Sequence, residues 1–223
     1  MLTKSNLHET DPLALDTAMM ERCIRLSATA AASGELPFAA VVCEDDRIVV
    51  EATNLVAQTA DVTRHAELIA VSEAQKTLGR KDLSSCALYS NVEPSVMCSF
   101  PIRETGISRV IYAIGSPMMG GFSKWNVLRD AEISDAMPEA FGGIPEVIAG
   151  LCRDEAEKVW STWNPIVWAV IKHRGCFAQD TEAVGIEHLE PVQQRGSLLR
   201  KLLKLHHNCI AAKAAARRRN ASY

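Results

Sequence analysis

Two β-branched runs, 38–44 and 47–53, are separated only by Asp45 and Asp46. That arrangement predicts an antiparallel hairpin, although an Asp-Asp pair leaves the turn type open. Apolar runs at 86–91 and 108–114 predict two further short strands, the first of them buried. Helical signals cover 11–34, 64–78 and 96–105. Asp11 is the expected cap of the first helix, with Pro12 in its first turn and Gly34 as its stop. Thr63 or Asp61 caps the second helix, which Gly79 stops, and Gly106 closes the third. Pro101 inside the third is expected to kink it or delay its start. The order helix, strand, strand, helix, strand, helix, strand implies an α/β chain: a three-layer α/β/α fold, with a mostly mixed central sheet flanked by helices.

The text changes beyond Gly115. Residues 116–121 are turn-rich, and 134–145 carry two prolines and a Gly-Gly pair, so this stretch reads mostly as loop. Residues 151–163 read as a helix, and Asn164-Pro165 opens another through Arg174, stopped by Gly175. Residues 197–219 have good helix propensity. The expected organisation is a main domain over 1–150, a helical extension over 151–190 packed on it, and a basic helical tail over 191–223. The tail carries eight basic residues and no acidic one. The first 190 residues therefore hold 16 basic against 27 acidic residues, so the net charge of −3 divides into a body of −11 and a tail of +8.

With 48% hydrophobic and 23% charged residues over 223 positions, disorder, collagen and coiled coil are excluded, and the chain is long enough for a sizeable core. No apolar window approaches the roughly 18 residues of a membrane span. The N-terminus lacks the basic-then-apolar order of an export signal. Seven cysteines, an odd number, then argue for free thiols in a reducing cytoplasm.

Two stretches carry chemistry. Asp61-Val62-Thr63-Arg64-His65-Ala66-Glu67 opens the second helix, and Glu93-Pro94-Ser95-Val96-Met97-Cys98 opens the third. Helix starts gather at one edge of an open α/β sheet, so His65 and Cys98 are expected to converge across 33 residues of sequence. Either stretch alone is an ordinary helix start or a buried thiol. Together they resemble the zinc deaminase signature, His-x-Glu followed by Pro-Cys-x-x-Cys.

On these residues, with Leu36-Pro37-Phe38-Ala39-Ala40-Val41 and Asn54, the chain is similar to the cytidine and deoxycytidylate deaminase superfamily. It looks closest to the branch of tRNA adenosine, guanine and fungal-type cytosine deaminases. The resemblance covers residues 11–114 and implies hydrolytic deamination of an amino-substituted heterocyclic base or nucleoside through zinc-activated water. It implies Glu67 as the proton carrier, His65 and Cys98 as zinc ligands, and Asn54, the Ala66 backbone amide, Phe38 and Trp125 as substrate contacts. Phe122 lies beside Trp125 in the same loop.

The family places cysteine where this chain has Ser95, a poor zinc ligand because a hydroxyl ionises with difficulty. Three readings stay open: a replacement that leaves zinc weak or substoichiometric, another group such as Cys86 filling the position, or a non-catalytic relative with a binding or scaffold role. The resemblance also implies a homodimer acting on a small heterocyclic amine. A tRNA-editing deaminase using the basic tail for phosphate contacts is the less favoured alternative, because the acidic body would repel the nucleic-acid backbone. Trp160, Trp163 and Trp168 read as core or subunit-contact aromatics. His206-His207 has no further ligand at metal spacing.

Overall fold

The computed structural model describes residues 12–178. Asp11, the basic tail and the His206-His207 pair lie outside the described residues. The elements are α1 (Pro12–Ala32), β1 (Ala39–Glu44), β2 (Arg47–Thr53), α2 (Val56–Thr59), α3 (Ala66–Leu78) and β3 (Cys86–Val92). They continue through α4 (Val96–Glu104), β4 (Arg109–Ile114), α5 (Ala131–Ala136), β5 (Glu146–Ala149), α6 (Arg153–Trp163) and α7 (Pro165–His173).

The strands form one mixed sheet in the order β2-β1-β3-β4-β5. β1 is antiparallel to both β2 and β3, whereas β3, β4 and β5 run parallel. The hairpin turns at Asp45, whose φ is +53°. Side chains of β1 alternate between the two faces, as a pleated strand requires. Val41 and Cys43 join Met20 and Cys23 of α1, Tyr89, Ile111 and Trp160 in one core. Ala40 and Val42 join Ala66 and Ala70 of α3, Leu88, Ile102 of α4 and Val110 in the other. These two cores give the three layers expected.

Three short elements depart from the expectation. Single-turn α2 and short α5 were covered by no helical pattern, and the predicted loop is interrupted by α5 and followed by β5 at the sheet edge. Helix α3 starts at Ala66, with His65 rather than Thr63 or Asp61 in the capping position; Asp61 instead accepts the Thr63 N–H in a turn at 2.9 Å. Pro101 sits inside α4 without ending it. The carbonyl its missing N–H would have met is that of Met97, an exposed residue of the first turn.

Trp160 and Trp168 belong to the core. Trp160 stacks on Trp168 at 6.0 Å and meets Trp163, Phe177 and Phe38 edge-on at 5.8, 5.1 and 4.9 Å. This aromatic cluster seats α6 and α7 against α1 and the sheet. Across the sheet's other end, buried Asp16 of α1 accepts bonds from Tyr89 Oη (2.6 Å) and Arg109 (2.7 and 3.0 Å), while Arg109 also pairs with Glu146 of β5 at 2.8 Å.

Candidate active site

The site lies where β3 ends and α3 and α4 begin. His65 has extended φ and ψ (−68°, 147°) and turns the chain into α3, so Glu67 falls in the first helical turn. The Leu55 N–H donates to the Arg64 carbonyl (3.0 Å) and joins the segment after β2 to this start. Ser95 holds the equivalent place in α4: its Oγ accepts the Cys98 N–H at 3.4 Å. The two helices pack on the same sheet face, which brings the expected residues together.

Cys98 Sγ is the centre of the cluster. It lies 3.5 Å from His65 Nδ1, accepts from Ser95 Oγ at 3.2 Å and faces Glu67 Oε2 at 3.6 Å. One ligand atom each from His65, Glu67 and Cys98 lies within 4.8 Å of the others. Burial pushes the Glu67 carboxyl up, against lowering by its own backbone amide, His65, Ser90 and Cys98. Burial also pushes the Cys98 thiol well above its ordinary range, and the Glu67 charge adds to this. An anionic thiolate in so buried a place calls for a cation.

The donors fit zinc in position. Tetrahedral zinc with bonds of about 2.0 Å to nitrogen and 2.3 Å to sulfur separates those two atoms by about 3.5 Å, the separation found between Cys98 and His65. Ser95 stands in the third position but offers a neutral oxygen where a thiolate would bind more strongly. Cys86 is no substitute. It sits at the far end of β3, six residues or about 20 Å of strand from Val92.

Glu67 is oriented by a residue the sequence did not single out. Ser90 of β3 donates to Glu67 Oε1 at 2.9 Å, leaving Oε2 toward Cys98. Its neighbour Asn91 accepts the Ala39 N–H and donates to the Pro37 carbonyl, both at 2.8 Å, fastening β1's entry to β3. The available signal was Ser-Asn inside the otherwise apolar stretch Cys86-Ala87-Leu88-Tyr89. Glu93, which opens the second stretch, is buried and has an anchoring role that its sequence position does not reveal. Its carboxylate accepts from Ser116 N, Phe122 N, Ser123 N and Ser123 Oγ at 2.7–3.0 Å. It thereby holds the loop after β4 against the start of α4.

The remaining expected residues are placed as follows. Ala66 is buried at the first position of α3, where backbone N–H groups lack intrahelical acceptors. Asn54 is 2% exposed; its N–H donates to the Phe38 carbonyl and its Nδ2 to Glu35 Oε2, both at 3.0 Å. The Phe38 ring packs on Trp160 and Phe177 in the core of the opposite sheet face. Trp125 is 54% exposed in the loop that Glu93 anchors, and Phe122 lies beneath the Arg129 guanidinium. Among the described residues no helix is long and apolar enough to cross a membrane.

Residues 14–114 match the cytidine and deoxycytidylate deaminase zinc-binding region. A probable cytosine deaminase of Schizosaccharomyces pombe is 38% identical over 163 residues, covering 72% of this chain and 91% of that protein. A tRNA(Ile)-lysidine synthase of Deinococcus deserti is 33% identical over 146 residues, 65% of this chain, but the chain spans only 26% of that relative's length. Among solved structures, one described in studies of A-to-I editing by tRNA:A34 deaminases superposes with a TM-score of 0.55 at 28% identity, covering 64% of this chain and 99% of the other.

Proposed function

Because the chain belongs to the zinc-binding cytidine and deoxycytidylate deaminase family, we propose that it hydrolytically deaminates an amino-substituted heterocyclic base. Water adds to the ring carbon that bears the exocyclic amine; the C–N bond breaks, a carbonyl forms and ammonia leaves. The observation that carries this reading is the convergence of His65, Glu67 and Cys98 within 4.8 Å at the starts of two helices.

His65 and Cys98, with Ser95 in the third position, would hold the zinc, which when bound would supply the Lewis acidity that makes water nucleophilic near neutral pH. Glu67 takes a proton from the attacking water through Oε2 and delivers it first to the ring nitrogen and then to the departing amine. Ser90 holds the other carboxylate oxygen so that Oε2 keeps its aim. The Ala66 N–H, at the positive end of α3, hydrogen-bonds the base's oxygen or ring nitrogen. Asn54 holds a polar edge of the ring and Trp125 bounds the space it occupies, whereas Phe38, packed on Trp160 and Phe177 on the opposite sheet face, takes no part. With Ser95 as a neutral donor, zinc would be held more weakly than by a thiolate in that position.

A small uncharged heterocycle suits a body whose first 190 residues carry −11. The reading includes a homodimer in a reducing cytoplasm; the six cysteines among the described residues are free thiols. The test is a metal assay of the purified chain followed by an ammonia-release screen across cytosine, guanine, adenine and their nucleosides. Zinc together with release from at least one free base supports the proposal. Release from none, in a chain reloaded with zinc, rejects it.

A further inference from the structure

We propose that Glu35 is a positioning residue that fixes which end of the Asn54 amide each substrate meets. The proposal rests on the reading of Asn54 as a contact to the base. The two ends of an asparagine amide have nearly the same shape and opposite hydrogen-bonding character, so an amide free to flip cannot distinguish a donor from an acceptor. Here the flip is locked. Glu35 is fully buried immediately before β1's entry, and three N–H groups converge on its carboxylate. Asn54 Nδ2 and the Ala57 N–H reach Oε2 at 3.0 and 3.3 Å, and the Gln58 N–H reaches Oε1 at 2.7 Å.

Ala57 and Gln58 belong to α2, the single turn that follows Asn54. They use both carboxylate oxygens as acceptors and aim the group at Asn54. If Asn54 flipped, Oδ1 would face Glu35 Oε2, placing two acceptors together in a buried position, an arrangement that folded proteins avoid. Nδ2 therefore spends one hydrogen on Glu35. Its second hydrogen and Oδ1 remain for ligand. Asn54 then presents a fixed donor beside a fixed acceptor, and the preferred heterocycle carries the reverse pattern on one edge: a ring acceptor next to an N–H. Glu35 would thus select substrate without touching it.

Glu35→Gln provides the test. It keeps the shape but adds an NH₂ group. When the new carbonyl keeps the shorter Gln58 bond, the NH₂ replaces Oε2, gives up the longer Ala57 bond, faces Asn54 and favours the inverted amide. On the best base from the screen, the expected result is a rise in KM of about tenfold, the scale of one well-made hydrogen bond, with kcat within about twofold and zinc content equal to that of the starting chain. Because Glu35 acts through Asn54, the Glu35→Gln/Asn54→Ala double variant should lose no more kcat/KM than Asn54→Ala alone. Additive losses would overturn the proposal, as would an unchanged KM in Glu35→Gln.

A second readout is independent of turnover. In the ¹⁵N-labelled chain, one of the two Asn54 Nδ2 protons should exchange slowly with water, and Glu35→Gln should abolish that difference. Equal exchange in the starting chain overturns the lock. Loss of all ammonia release with the slow proton intact instead rejects the deaminase reading and leaves the lock standing.

Discussion

Ser95 has two roles that pull in different directions. As the cap of α4 its Oγ accepts the Cys98 N–H, and as the neighbour of Cys98 it donates to the sulfur. A cysteine there would cap less well but bind zinc far better. Ser95→Cys should therefore raise bound zinc per chain and ammonia release together, read by atomic absorption and a deaminase assay; unchanged zinc content would contradict the assignment of position 95 to the ligand set. Ser95→Ala should cost about 1 kcal/mol of stability through the lost cap. Glu67→Ala should lower kcat by about 10²- to 10⁴-fold, the usual weight of a positioned proton carrier, while the far-UV circular dichroism spectrum stays unchanged. His65, Glu67 and Cys98 were legible in sequence because the chemistry is written in short, fixed spacings. Ser90 and Glu35 were not, since each matters only through a partner 23 or 19 residues away.

At the scale of elements, Glu93 decides whether the loop after β4 has one shape. It gathers donors from Ser116, Phe122 and Ser123, and Gly120 lies so close that a Cβ there would overlap the Glu93 carboxylate. Glu93→Ala should destabilise the chain by about 3 kcal/mol, because several donors to a buried charge lose their acceptor at once; urea unfolding measures this. The long helices and the first four strands were readable because each carries its own periodicity and stop signals. β5 was not. It has four residues, Glu146–Ala149, and owes its strand character to parallel pairing with β4, a long-range contact that leaves no local pattern. α2 is likewise one turn fixed by Glu35 rather than by its own sequence.

For the molecule as a whole, the contact set of Asp16 ties the first helix to β3, β4 and, through Arg109, to β5. Burial alone would raise the Asp16 carboxyl, but hydrogen bonds from Arg109 and Tyr89 and the Arg109 charge hold it below its usual value. A carboxylate with a depressed folded-state pKa contributes stability that is present above its unfolded pKa of about 4 and is lost as pH falls through the folded value. Asp16→Asn should then be about 2 kcal/mol less stable at pH 7, and the difference from the starting chain should close as the pH drops below about 4. Equal gaps at pH 7 and pH 3 in thermal melts would count against this linkage. The tryptophans, finally, divide into two optical populations. Trp160, Trp163 and Trp168 lie within 6.0 Å of one another or of a shared ring, close enough to exchange excitation, whereas Trp125 stands half in solvent on the loop after β4 that Glu93 anchors. Near-ultraviolet dichroism should therefore follow the packing of α6 and α7, while the emission colour of Trp125 follows the loop after β4, so that one unlabelled sample reports separately on core and loop.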